Sequence, residues 1–436
     1  MKGKYLSNPL VSLLTDKVVL SVLVLTYLSV FSYSFSLFVV PKFGYFGFVM
    51  HETMLIDKIF IYLTVFFISL FLPIYIKRAS EILLMFLYVF IYIPSCVVLF
   101  SIREDWLPYN DAFEMWGWVS CCFIVILSFT KLPIFQIKSL KINKFYFVTT
   151  NLIIVFVLCL LFFKTKGNFS IVSHDNLSEL NDVRNSAGLS GVFSYIYLWI
   201  ITFSIGLLFS IYDNVDLKIR FILLSFIYCF FAFSMGAKIL LVAPLVFLGV
   251  YFWLFRYKAK FLYIFWGLII VLILFQLITL IFPKLGFTLS ALLLFRTLSI
   301  SSLSFAVYFD YFQVHDYTNF QHIGIVAQLF NTNFGSPLPV KLAEYYGLGN
   351  FNANFIVNDG YAGMGYRGML IMSFVYSSFI YLLDCVTKRI KFSIVVFGLT
   401  YFGMYLGNVS LFTLLLSHGL LILFFYFLIF SRFLLK

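Results

Sequence analysis

Charge is what this chain has least of. Only 11% of its 436 residues are charged, and its 18 acidic residues are outnumbered by 30 Lys and Arg. Soluble domains keep about a quarter of their residues charged, so a water-facing globule is excluded. Histidine is scarce as well, at five, and the six cysteines show no Cys-x-x-Cys spacing. Cys96, Cys121, Cys122, Cys159, Cys229 and Cys385 all fall in apolar runs. They read as small buried hydrophobes, and neither a disulfide framework nor a metal cage is expected. The polar loops hold no Asp-x-Asp pair, no His-Glu-x-x-His and no His/Cys cluster, so no metal or other cofactor is expected. Internal repeats, coiled-coil heptads and an appended soluble domain are also missing, which leaves one membrane domain over 1–436.

What is present is hydrophobicity, at 63% of residues. Segments long enough to cross about 30 Å of hydrocarbon recur along the chain. The expected spans lie near 18–40, 57–76, 81–102, 115–130, 145–163, 191–212, 219–235, 239–255, 261–282, 369–387, 392–410 and 411–431. The first is too long for a signal-peptide core and counts as a span. The fold class is therefore all-α and polytopic, with about twelve transmembrane helices.

Charge tests that layout, because Lys and Arg stay on the cytoplasmic side during insertion. With both termini cytoplasmic, the clusters at Lys77-Arg78, Lys138 to Lys144, Arg256 to Lys260 and Lys388 to Lys391 all fall inside. The inner face then carries roughly +14 and the outer loops roughly −2. The net charge of +12 is thus a topology signal, and no nucleic-acid partner is implied. Phe287 to Phe309 is also long enough to span, with Arg296 its only charge. Counting it would place Asp310, Asp316, Glu344 and Asp359 inside and the Lys388 cluster outside. It is therefore kept on the outer side. Thr297, Ser301, Ser304 and Tyr308 form a polar stripe opposite Leu298 and Leu303, as expected of an interfacial or re-entrant amphipathic helix.

Two outer loops follow, a smaller one at 164–190 and a large polar island at 283–368. The island holds Gly335, Pro337, Pro339, Gly347 and Gly349, which must lie at the surface or line a protected cavity. Four cations stand near outer membrane boundaries: Arg184, Lys238, Arg296 and Arg367. A solvated helix explains Arg184 adequately, and snorkelling to the headgroups explains Lys238. A lone charge in an apolar run is costlier to explain at Arg296. Together the four suit a pyrophosphate site at headgroup depth. The island ends in Asn350, Asn352, Asn354, Asn358, Asp359 and Tyr361, amides and aromatics suited to sugar hydroxyls and rings. Asn, Asp and Gly also favour plain turns.

The run Asn352-Ala353-Asn354-Phe355-Ile356-Val357-Asn358-Asp359-Gly360-Tyr361-Ala362-Gly363-Met364-Gly365-Tyr366-Arg367-Gly368 resembles the end of the large periplasmic loop in Wzy-type O-antigen polymerases. Asn-Ala-Asn-Phe, then acidic-Gly-aromatic-Ala, then Gly-aromatic-x-Gly lead there into a transmembrane helix. The layout of the whole chain is similar. One departure is Gly236-Ala237-Lys238, where such proteins often carry Gly-x-Arg; Lys lacks the planar fork of Arg.

The resemblance implies a metal-independent glycosyltransferase of the membrane-embedded GT-C type in the bacterial inner membrane, with its active site facing the periplasm. It would move a growing glycan from undecaprenyl pyrophosphate onto a lipid-linked repeat unit in O-antigen synthesis. Its partners would be undecaprenyl-pyrophosphate-linked glycans, membrane lipids and a chain-length regulator. Arg296, Arg184, Lys238 and Arg367 would hold the pyrophosphate; Asn352, Asn354, Asn358 and Tyr361 would hold glycan and acceptor. Asp359, His322 and His315, in that order, are the candidates for the base that takes the acceptor proton. Two rivals remain. An O-antigen ligase shares the donor, and a lipid-linked oligosaccharide flippase has a similar span count, although transporters tend to show repeated halves.

Overall fold

A backbone that crosses hydrocarbon must bond its own amides within each segment. The computed structural model is accordingly all-helical: the described residues contain only three isolated β-bridges and no strand. The described residues are 9–51, 53–137, 140, 142–165, 192–211, 215–235, 239–332, 334–348 and 353–435. Arg184, Lys238 and Asn352, with nearly all of the smaller loop at 164–190, lie outside them.

Among the described residues nine helices are long and apolar enough to cross a membrane, and three shorter apolar ones accompany them. Several boundaries differ from expectation. The span expected at 57–76 is a helix over Leu55–Leu70, about 24 Å long; it ends just before Leu72 and Pro73, since the residue preceding a proline avoids helical geometry. The helix expected at 115 starts at Tyr109 and so carries Asp111 and Glu114 in its opening turns. The span expected at 369 begins at Ile356. Asn358, Asp359 and Tyr361 are therefore inside the bundle, not in a connector.

Loop contacts sort into two groups. In one, Ile76 N donates to Ala259 O at 2.9 Å and Arg78 Nη1 to Thr130 O at 2.8 Å. There too Lys388 Nζ donates to Ile134 O at 3.0 Å and Lys391 N to Leu434 O at 2.8 Å. These are the loops carrying the basic clusters. In the other group, Val49 N donates to Ser101 O and Arg103 N to Gly47 O, both at 2.9 Å, and Trp106 packs edge-on against Tyr346 at 5.1 Å.

Pro283–Val314 is one of the nine long helices, and 72% of its most apolar window is buried, against 28% for Leu262–Ile281. It is an interior rod. Its first turns double back on the preceding helix, with Gly286 packed so closely on Thr279 that a Cβ would come within 2.5 Å. Both of its ends touch the second loop group. Phe287 and Phe295 stack on Phe43 at 5.9 and 4.3 Å, while Asp310 accepts from Tyr346 Oη at 2.5 Å. The expected amphipathic stripe is corrected: Ser301, Ser304 and Tyr308 are as buried as Leu303. These polar groups face protein, since Ser301 Oγ donates to Phe90 O at 2.8 Å, and a stripe buried over Ser301, Ser304 and Tyr308 is not a water-facing one.

Glycine makes the second special element. Met364 (φ −153°, ψ 35°) and Gly365 (φ 60°, ψ −143°) break the helix that runs on to Thr387, in a region essentially reserved for glycine. The segment Ile356–Tyr361 thereby folds back on the start of the long helix. At the crossing, a Cβ on Gly368 would sit 2.0 Å from Gly360 O, and one on Gly360 would sit 2.8 Å from Met369 Cα. Only two glycines permit so close an approach.

Candidate functional site

Where this hairpin, the end of helix Ile300–Val314, the 103–108 loop and the start of helix Tyr109–Phe129 meet, they border an open-mouthed cavity of about 450 Å³. That is within the usual range for small-ligand sites. Its lining is aromatic and acidic: Trp106, Phe309, Tyr317, Tyr361 and Tyr366 alternate with Asp105, Asp111, Glu114 and Asp310. Neighbouring rings fix the walls. Tyr361 packs against Tyr366 at 5.4 Å and Tyr317 at 5.8 Å, and Tyr366 stacks on Trp118 at 5.5 Å with 12° between planes. Gly365 is needed here again, because a Cβ would lie 2.9 Å from Tyr317 Oη.

The acids are held differently. Asp105 takes a two-pronged ion pair from Arg103, whose guanidinium holds its carboxyl below the usual range. Glu114 accepts from Trp118 Nε1 at 3.3 Å. Asp310 accepts from Tyr346, and burial followed by that bond pushes the phenol upward. Among the described residues no cation lines the cavity. Its field would repel a pyrophosphate and accept hydroxyls, amides or an ammonium group.

Of the sequence-predicted site residues that the structure describes, only Tyr361 lines this cavity. Asn354 is completely buried. Its Nδ2 donates to Ser301 O at 3.2 Å, and its Oδ1 accepts from Ile356 N at 3.0 Å and Val357 N at 3.3 Å. It thus starts the helix Ile356–Tyr361 and ties it to the interior rod. Asn358 accepts from Tyr308 Oη at 3.0 Å. Asn354 is thus bonded to protein through both ends of its amide and Asn358 through its oxygen, and neither lines the cavity.

Asp359 is 1% exposed, and its carboxylate accepts from Leu411 N at 2.6 Å. It caps the start of the short helical segment that leads through Thr413–Ser417, satisfying a first-turn amide that has no partner within that segment. Its placement is that of a buried anchor away from the cavity. His322 shares a hydrogen bond with Thr318 Oγ1, which also donates to Ala362 O at 2.9 Å. Burial lowers its pKa to about 4, so the ring is neutral near pH 7. His315 is exposed, stacked on Tyr311 at 4.0 Å. Neither imidazole lines the cavity. Arg296 and Arg367 are exposed and make no ion pair among the described residues; Arg367 follows the cavity residue Tyr366 directly.

Sequence reasoning missed Asp105, Trp106, Asp111, Glu114, Asp310 and Gln313. A signal was there: Glu104, Asp105, Asp111 and Glu114 concentrate acid in one short stretch around Trp106. No three of these carboxylates, or of any His, Cys, Asp or Glu among the described residues, converge closely enough to share a metal ion. Comparison with protein-family models, curated proteins and solved structures finds no match to this chain.

Proposed function

We propose that this chain is a glycosyltransferase of the O-antigen polymerase type, joining undecaprenyl-pyrophosphate-linked repeat units on the periplasmic face of the inner membrane. The observation that carries the reading is the acid-aromatic cavity, built in part by the motif on which the family resemblance rests. Aromatic faces with carboxylates between them bind pyranose rings.

In this reading twelve helices cross. They are eight of the nine long helices, Leu55–Leu70 and the three shorter ones, with Pro283–Val314 re-entering from the outer side. Both termini then lie in the cytoplasm, and the fold is of the GT-C type. The acceptor hydroxyl attacks the anomeric carbon of the donor, and the bond to the pyrophosphate oxygen breaks. The leaving pyrophosphate takes the electron pair; a carboxylate takes the proton. Asp310 suits that proton transfer better than Asp359, since it lines the cavity while Asp359 is committed to Leu411 N. Exposed Arg296 and Arg367, with Arg184 and Lys238, are assigned to the pyrophosphate.

A deletion strain tests the reading through its lipopolysaccharide. Core bearing a single repeat unit is the expected phenotype. Bare core with accumulated lipid-linked polymer would instead identify a ligase, and repeat units that never reach the outer leaflet a flippase. Complementation with Asp310→Asn should restore the protein without the ladder; a full ladder would remove Asp310 from the chemistry.

A further inference from the structure

The cavity's charge says more than that a sugar fits. Four carboxylates line it against one nearby cation, Arg103, which pairs with Asp105 and also feels the charge of Asp310. Asp111 and Glu114 make no ion pair among the described residues, so negative charge is in excess. A second feature is the wall itself, where Trp106, Tyr361 and Tyr366 set aromatic rings beside the carboxylates and Gln313 adds a side-chain amide.

We infer that this cavity is a subsite for a non-acidic sugar ring, preferring one that carries an ammonium group and excluding one that carries a carboxylate. Ring faces hold the pyranose, the carboxylates accept its hydroxyl and ammonium hydrogens, and the Gln313 amide supplies one further polar contact. An acidic ring would bring like charge against four carboxylates that share one nearby cation, Arg103, and like charges juxtaposed in a partly desolvated site suppress binding strongly. The inference rests on the glycan-handling reading above and narrows its acceptor.

The test uses the full chain in nanodiscs and three probes that share one ring: methyl glucoside, methyl glucosaminide and methyl glucuronide. Saturation-transfer NMR over the millimolar range reads binding. The glucosaminide should bind most tightly, the glucoside next, and the glucuronide about tenfold or more weakly. The double variant Asp111→Asn, Glu114→Gln, which keeps size at two solvent-facing positions, should bring the three probes close together. Trp106→Ala, which removes a ring face, should weaken all three without changing their order. A glucuronide bound as well as the glucosaminide, an order unchanged in the double variant, or no binding by any probe would each overturn the subsite. The outcome is separable from the strain test. The expected order with long polymer retained in the deletion strain would leave the subsite standing and remove the polymerase. A reversed order with the polymer lost would do the opposite.

Discussion

Replacing Gly368 by alanine tests the hairpin that builds the cavity. The added methyl would lie 2.0 Å from Gly360 O and 2.9 Å from Gly360 C, whereas real Cβ contacts stay beyond 3.0 Å. The two backbones must therefore part by at least about 1 Å, in a region where packing has few voids to absorb the movement. Overpacking of this kind costs about 1–3 kcal/mol, and a clash with backbone belongs at the upper end because no side chain can rotate away. Alanine returns about 0.5–1 kcal/mol through helix propensity, which leaves a net loss of about 2 kcal/mol. Gly267 is the control. It lies in a long apolar helix, and a methyl added there would meet nothing within 4 Å, so Gly267→Ala should be neutral or stabilising. Thermal unfolding in nanodiscs, followed by tryptophan fluorescence, should rank Gly267→Ala at or above the native chain and Gly368→Ala below it. Because Tyr361 rides on the displaced segment, glucosaminide binding should fall as well. A Gly368→Ala protein that melts with Gly267→Ala would show that the two segments do not cross at Gly360, and the cavity they border would fail with them.

Three further changes probe the residues around it. Asp359→Ala strands the buried amide of Leu411 and should cost about 1–3 kcal/mol in stability, while Asp359→Asn keeps an acceptor and should stay nearer the native melting temperature. A loss of polymer in Asp359→Ala at unchanged stability would return this carboxylate to chemistry. For His322, burial lowers the folded pKa to about 4 from its ordinary 6.5, so the unfolded chain binds the extra proton first. Stability is full above about 6.5 and falls as pH drops through about 4, by no more than about 3 kcal/mol and less for a partly solvated ring; His322→Gln should flatten that slope, and an unchanged pH profile would refute the burial. Arg296 is exposed, so Arg296→Ala should leave the melting temperature unmoved while shortening the polymer ladder; an intact ladder would remove Arg296 from the pyrophosphate site.

How far the sequence could be read depended on what each residue's partner was. The alternation of basic clusters follows from insertion, a property of single segments, and the loops it grouped together are bonded to one another: Ile76 to Ala259, Lys388 to Ile134, Lys391 to Leu434. The island's amides could not be read the same way. Asn354 is bonded to Ser301, Asn358 to Tyr308 and Asp359 to Leu411, each about fifty residues distant in the chain. Nothing local marks those partners, so a polar group in an apolar run looks the same whether it serves a ligand or a stranded amide. The difference lies in helix breaks. A broken helix exposes main-chain donors that must be met from elsewhere, and Ser410–Leu411, Met364–Gly365 and Phe282–Pro283 are three such breaks around one interior rod. Buried polar side chains gathered there should therefore be assigned to the backbone first. What remains after that assignment is acidic charge gathered on one cavity: Glu114 and Asp310 each accept one side-chain bond, from Trp118 and Tyr346, and Asp111 stands in the first turn of its helix, so it is the excess of negative charge over the single cation Arg103 that a ligand would answer.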